Sequence, residues 1–223
     1  MSEKILVVAP HPDDETLGCG GTILKHKNSG DQICWLIVTN MHSGDRWLEK
    51  QVKTRQEEIR QVSKMYGFKK TFKLDFPTTK LDSIPTNELV AKITEVIKEV
   101  EPTIVYLPHH GDIHTDHKIT FHAVMSCCKD FRAPFIKRIL MYETLSETEF
   151  APALKEYGFV PNVFVDVSEY FQRKLEIFSE YASEVMASPL PRSLDTLTSL
   201  ARYRGSRIGV KFAESFMLLK EVR

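Results

Sequence analysis

Over roughly the first 130 positions, short apolar runs alternate with longer segments whose apolar residues recur every three or four places. Residues 5–9 (Ile-Leu-Val-Val-Ala) are apolar without a break, the pattern of a strand covered on both faces. Residues 33–39, 71–75 and 103–107 read as three more strands. Gly18-Cys19-Gly20-Gly21 reads as a loop after the first, leading into a helix over 22–28 that Ser29-Gly30 closes. A polar loop over 40–46 precedes a helix over 53–66, where Ile59, Val62 and Met65 or Tyr66 share a face and Gly67 is the stop. Thr86 is the expected cap of a helix in which Leu89, Val90, Ile93, Val96, Ile97 and Val100 form an apolar stripe. A further helix is expected over 117–129.

Beyond residue 130 the alternation loosens. Residues 139–142 and 163–167 read as strands, and 169–182 as a helix capped by Ser168 with Phe171, Leu175, Phe178 and Ala182 on one face. A Ser- and Pro-rich loop over 183–193 precedes a short helix ending at Tyr203, and 214–219 is expected as an edge strand. Strands alternating with helices of this length require βαβ crossovers. The expected fold class is therefore α/β: a doubly wound, mostly parallel sheet with helices on both faces, and an irregular α+β extension after residue 130. No repeat, low-complexity segment or linker divides the chain, so its 223 residues are expected to form one domain, with 1–130 as the core.

Composition narrows the choice of partners. Thirty basic residues balance thirty acidic ones, which gives no electrostatic case for nucleic acid. No apolar stretch approaches the ~20 residues that span a bilayer, so membrane insertion is not expected. Met1-Ser2-Glu3-Lys4 runs directly into the first strand, without the pattern of a signal peptide. Cys19, Cys34, Cys127 and Cys128 lack zinc-finger spacing, and the vicinal pair suits a disulfide framework poorly; reduced thiols in a cytoplasmic protein are expected.

The chemistry concentrates in two places. His11-Pro12-Asp13-Asp14-Glu15 follows the first strand, and His109-His110-Gly111-Asp112-Ile113-His114-Thr115-Asp116-His117 follows the fourth, with half of the eight histidines in nine residues. Ligands of doubly wound sheets bind beyond the carboxyl ends of the strands, where both clusters fall. His11 and Asp14, three apart in a turn, can converge on one ion, and His117 can complete the His-Asp-His set of a catalytic zinc site with a position left for water. Asp13 then lies beside a ligand, where a base would take a proton from the activated water. His114, held by the Asp116 carboxylate, would face it and stabilise the oxyanion of a cleaved amide.

Together, Ala9-Pro10-His11-Pro12-Asp13-Asp14-Glu15, Gly20-Gly21 and His114-Thr115-Asp116-His117 resemble the PIG-L/LmbE family of zinc-dependent N-deacetylases. Arg55-x-x-Glu58, Arg204-Gly205 and Phe212-Ala213-Glu214-Ser215-Phe216 extend the likeness over nearly the whole chain. The resemblance implies a Rossmann-like fold in which residues 131–223 complete the substrate side. It makes His11, Asp14 and His117 metal ligands, Asp13 the general base, His114 the catalytic histidine and Asp116 its orienting partner. The implied cofactor is Zn2+, with another divalent ion such as Fe2+ as the alternative. The implied substrate is a small-molecule conjugate of N-acetylglucosamine, and a homo-oligomer is expected by analogy. Thr115 stands where the family often has Pro, which leaves the donor atoms unchanged. Asp112 stands where some members have Tyr, which bears on oxyanion stabilisation.

Candidate substrate contacts are Arg55, Asp75 and Asp112. Arg55 reads as a sugar contact or as a partner of Glu57 or Glu58; Asp112 could instead support the catalytic histidine or be a loop acid. Glu15 reads as a support of His11 or the adjacent loop, Cys19 as a packing residue, and His109 and His110 as substrate-side or packed side chains. The basic segment 202–207 could meet an acidic substrate, or be plain surface charge or a subunit contact. Two rivals remain: a non-catalytic nucleotide- or sugar-binding module, and a metal-dependent esterase or amidase for another acyl group.

Overall fold

The computed structural model describes residues 2–44 and 46–223. Met1, in the expected leaderless start, and Asp45, in the expected loop over 40–46, lie outside the described residues. Among the residues described, seven strands form one sheet: β1 (Lys4–Ala9), β2 (Gln32–Asn40), β3 (Lys70–Pro77), β4 (Ile104–Pro108), β5 (Arg138–Tyr142), β6 (Val163–Asp166) and β7 (Ala213–Glu221). Their order is β3-β2-β1-β4-β5-β7-β6; the first five run parallel, and β7 pairs antiparallel with both β5 and β6. The chain is thus the α/β, mostly parallel, doubly wound fold that the alternation implied.

The unbroken apolar run of β1 from Ile5 to Ala9 follows from its place in the middle of the sheet. Ile5, Val7 and Ala9 face one core cluster with Trp35, Tyr66 and Phe178, while Leu6 and Val8 face another with Leu36, Ile93 and Val124. Among the described residues, six α-helices cover the sheet: α1 (Asp14–Asn28), α2 (Glu49–Tyr66), α3 (Thr86–Val100), α4 (Thr115–Cys127), α5 (Phe171–Ser179) and α6 (Leu194–Ser206). The stripe read from the sequence is what α3 buries, through Leu89, Ile93, Val96, Ile97 and Val100.

Four expectations change. The glycine run is not a loop: α1 begins at Asp14 and passes through it, kinked at Cys19 (φ −143°, ψ 20°). Close approach explains the glycines, since a Cβ at Gly18 would stand 2.2 Å from the Tyr142 ring and one at Gly21 would stand 2.7 Å from Val167. The C-terminal strand is not an edge; β7 lies between β5 and β6, which leaves β3 and β6 outermost. Thr86 and Ser168 do not cap helices. Pro85 occupies the cap of α3, and α5 starts only at Phe171 because Ser168 Oγ donates to Asp166 instead.

The kink in α1 is closed by two buried charges from the C-terminal half. An unbroken helix would bond Gly21 N–H to Leu17 C=O. Here the Glu214 carboxylate accepts from Gly21 N–H (2.8 Å) and Thr22 N–H (2.7 Å), and Lys174 Nζ donates to Leu17 O (2.9 Å) and to Glu214 (2.6 Å). Each orphan group thereby gains a partner, and the two charges neutralise each other.

Candidate metal centre

The sheet order reverses between β1 and β4, which are parallel neighbours. Their following helices leave to opposite faces: Leu17 and Ile23 of α1 join one core cluster, Ala123 and Val124 of α4 the other. This divergence opens the crevice in which doubly wound sheets bind ligands. Both acid and histidine clusters meet there.

His11 Nδ1 lies 3.5 Å from Asp14 Oδ2, and His117 Nε2 lies 3.3 Å from the same oxygen. One donor atom from each of the three residues falls within 4.8 Å of the others. Donors about 2.1 Å from one tetrahedral ion stand about 3.4 Å apart, so the spacing fits a single cation. The far nitrogen of each imidazole is held by an acid. His117 Nδ1 is 2.8 Å from Asp112 Oδ2, and His11 Nε2 is 3.1 Å from Asp116 Oδ2. Carboxylates in those positions fix the ring orientation of metal-binding histidines. His117 Nε2 is buried and without a hydrogen-bond partner among the described residues, which suits a ligand atom.

Charge in the cluster runs the same way. Burial would lower the basicity of both rings, but the Asp116 and Asp14 carboxylates raise His11 to about 9, and Asp14 and Asp112 raise His117 well above its ordinary value. Burial would push the Asp14 carboxyl up, yet the two imidazoles hold it below the usual carboxylate range. Protons on these rings occupy the positions a cation would take. His11, His114 and Asp116 form a second candidate group. Its acid is already committed, because Asp116 also accepts from Thr79 N–H (2.6 Å) and Leu81 N–H (3.2 Å).

Asp116 therefore does not orient His114 through its carboxylate, contrary to expectation. His114 is the N-cap of α4, and its Nδ1 accepts the Asp116 backbone N–H at 3.1 Å. A ring that accepts at Nδ1 is neutral and carries its proton on Nε2. Burial, with His11 and His117 nearby, pulls it down to about 4.

Asp13 sits beside Asp14 with φ 134° and ψ −27°, backbone that costs an L-residue about 1–3 kcal/mol. Its N–H donates to Glu15 Oε2 (3.1 Å), and Glu15 Oε1 accepts from Thr16 Oγ1 (2.5 Å) and Tyr181 Oη (2.8 Å). Glu15 thus braces the loop, in the supporting place read for it. Burial and the neighbouring Asp14 and Glu184 charges push the Asp13 carboxyl well above its ordinary value, with Arg55 and Arg192 opposing.

The expected substrate contacts fare less well. Asp112 is fully buried, with its second oxygen on Thr148 Oγ1 (2.6 Å), and so supports His117 instead of meeting a ligand. Asp75 is exposed, accepts from Asn40 Nδ2 (2.9 Å) and does not line the crevice. Arg55 borders the crevice, but its guanidinium is committed to Pro12 O (3.1 Å), Ser183 Oγ (3.1 Å) and the Glu184 carboxylate. It holds the metal loop. His109 and His110 bond the carbonyls of Tyr157 and Glu156, away from the crevice. Arg204 of the basic segment makes two bonds to Glu143 (2.8 and 2.6 Å). Cys19 Sγ donates to Glu15 O (3.3 Å).

The crevice is a cavity of about 250 Å3 whose walls include Asp13, His114, Thr79, Glu147 and three residues that the sequence did not point to, Trp47, Glu184 and Arg192. Nothing local marks these last three. They come from loops that only the tertiary fold brings to the metal cluster.

Residues 6–128, which include both clusters, match the PIG-L family, described as GlcNAc-PI de-N-acetylase. The chain is 31% identical over 185 residues to the uncharacterized deacetylase YaiS of Escherichia coli (strain K12), covering 80% of this chain and 90% of that relative. It is 29% identical over 221 residues to a diacetylchitobiose deacetylase of Thermococcus kodakarensis, covering 95% and 81% respectively. Among solved structures, the conserved protein TT1542 from Thermus thermophilus superposes with a TM-score of 0.78 at 25% identity, over 99% of this chain and 96% of that one.

Proposed function

The chain belongs to the PIG-L family, and from that membership we propose that it is a metal-dependent hydrolase that removes the N-acetyl group from an N-acetylglucosamine-type conjugate. One observation carries the metal part: the buried His117 and the half-buried His11 point their near nitrogens at Asp14 while Asp112 and Asp116 hold their far nitrogens. His11, Asp14 and His117 would hold the ion, with Zn2+ favoured by two nitrogen donors and one oxygen. When bound, the cation supplies Lewis-acid activation of water and of the amide carbonyl.

The chain's own groups do the rest. Asp13, in the wall of the crevice and raised in basicity, takes the proton from the attacking water. His114, neutral with its proton on Nε2, donates a hydrogen bond to the developing oxyanion. The amine leaves with a proton returned by Asp13, since the Nδ1 acceptor bond disfavours an imidazolium at His114. Asp116 serves His11, and Glu15 with Arg55 holds the strained Asp13 loop in place. Residues 1–223 act as one domain, with 131–223 contributing Glu184 and Arg192 to the substrate side.

No helix among the described residues is long and apolar enough to cross a membrane. The four cysteines are free, which favours a reducing, cytoplasmic setting. Relatives named for deacetylation of diacetylchitobiose and of N-acetylglucosaminyl malate support the substrate class. Acetate release from a panel of N-acetyl and O-acetyl sugars tests it. The wild type should act on the N-acetylglucosaminides, and Asp13→Asn should lose about 10²–10⁴-fold in kcat while keeping its metal. Exclusive release from O-acetyl sugars would make the protein an esterase, and full activity in Asp13→Asn would remove the proposed base.

A further inference from the structure

Among the described residues, four carboxylates line the crevice: Asp13, Asp14, Glu147 and Glu184. Three are accounted for. Asp14 faces the two imidazoles, Asp13 sits on the strained loop, and Glu184 is paired with Arg55 and Arg192. Glu147 is different. It forms no ion pair among the described residues, and its half-buried carboxylate accepts only from Ser146 Oγ, at 3.2 Å. A carboxylate offers about four acceptor positions, so most of that capacity stays open to the crevice.

The loop after β5 is built to hold it there. Ser146 adopts φ 77°, left-handed backbone that is costly for a residue with a side chain, and its N–H donates to Glu149 Oε1 (2.7 Å). Glu147 C=O accepts from Ile113 N–H (3.1 Å), and Thr148 Oγ1 donates to Asp112 (2.6 Å). Those two bonds pin the loop to the segment that carries His114 and His117. Burial raises the Glu147 carboxyl above its ordinary value, and the next influences on it are the charges of His117, Asp14 and His11. Asp13, beyond burial, answers instead to Asp14, Glu184, Arg55 and Arg192. The two carboxylates therefore look onto the cluster from different sides. Glu147 joins neither candidate metal group, so its oxygens stand farther than 4.8 Å from one or more of the donors. That setback leaves room for a bound molecule.

Any N-acetyl substrate brings one donor with its scissile bond, the amide N–H. In a trans amide the N–H points away from the C=O. A carbonyl turned to the metal cluster and His114 thus sends its N–H towards a wall set back from them, where an open acceptor is needed. We infer that Glu147 is the specificity-determining residue that selects an amide over an ester, by accepting the N–H of the scissile acetamido group. No bond to Glu147 forms or breaks. The hydrogen stays on nitrogen while C–N is cleaved; the hydroxyl of water goes to the acetyl carbon, and its proton passes through Asp13 to nitrogen. An ester oxygen has no hydrogen to offer, so it leaves the carboxylate desolvated and without a donor. The inference rests on the deacetylase reading of the crevice.

The test compares two methyl glucosides, one with a 2-acetamido and one with a 2-O-acetyl group, on Zn2+-loaded wild type, Glu147→Leu and Glu147→Gln. Glu147→Leu should lower the ratio of kcat/KM values, acetamide over ester, by about 10–100-fold with metal content unchanged. Glu147→Gln keeps the shape and a neutral acceptor and should lower the ratio about fivefold, which also serves if the Leu variant does not fold. A ratio that stays at the wild-type value, including an equal loss on both substrates, would make Glu147 a structural acid and overturn the inference. Acetate from the ester alone in wild type would overturn both the inference and the deacetylase reading. No acetate from either glucoside would overturn that reading alone, and calorimetric binding of the pair then decides on Glu147. The wild type should hold the acetamide about tenfold more tightly than the ester, and Glu147→Leu should hold them equally. Equal affinities in the wild type would overturn the contact.

Discussion

The parallel and antiparallel parts of the sheet contribute differently to the site. Strands β1 and β4 and the helices after them carry every residue of the candidate metal centre, from His11 to His117. Among the described residues, the segments around β5, β6 and β7 carry no member of that candidate group, yet they supply Tyr181 to Glu15, Glu184 to Arg55, Thr148 to Asp112 and the Lys174–Glu214 pair to the α1 kink. The first region presents the candidate reactive groups and the second fixes their geometry. A side chain placed on a strained loop, as that of Asp13 is, needs such outside bracing to persist.

That division can be broken most forcefully at the α1 kink. Lys174→Met leaves the Glu214 charge buried without its partner and should lower the unfolding free energy by about 3–5 kcal/mol, read from denaturant unfolding. Asp13→Asn should change it by less than about 1 kcal/mol, since the Asp13 carboxylate caps nothing. Comparable stabilities for the two variants would mean that the regions do not differ in this way. A smaller effect sharpens the boundary from the other side. Asp112→Ala removes the acid on His117 Nδ1 and should weaken metal affinity about 10–100-fold in chelator competition, with the fold intact. Unchanged affinity would show that Asp112 is only a packed loop acid.

The same division explains what could be read without the structure. The alternation of strands and helices follows from apolar runs such as 5–9 and from the helical stripe of α3, because burial on two faces and on one face leave distinct periodicities. The two clusters were legible because each is contiguous and lies at a strand end. The partners were not. Asp116 is two residues from His114 in sequence, which suggested a pair, but helix capping turns the His114 ring to the backbone and sends the carboxylate to His11, 105 positions away. Trp47, Glu184 and Arg192 carry no periodicity or motif, since a loop side chain gains its meaning only from what it faces. The glycines of α1 looked like a loop because their cause, the nearness of Tyr142 and Val167, is tertiary.

The proposed chemistry stands on His11, Asp14 and His117 binding one catalytic divalent ion. Elemental analysis of wild type and His117→Ala, each loaded with Zn2+, desalted and assayed for acetate release, decides it. One ion per chain and activity are expected in the wild type, with neither in a folded His117→Ala. A His117→Ala protein that keeps its ion and its turnover would contradict the assignment.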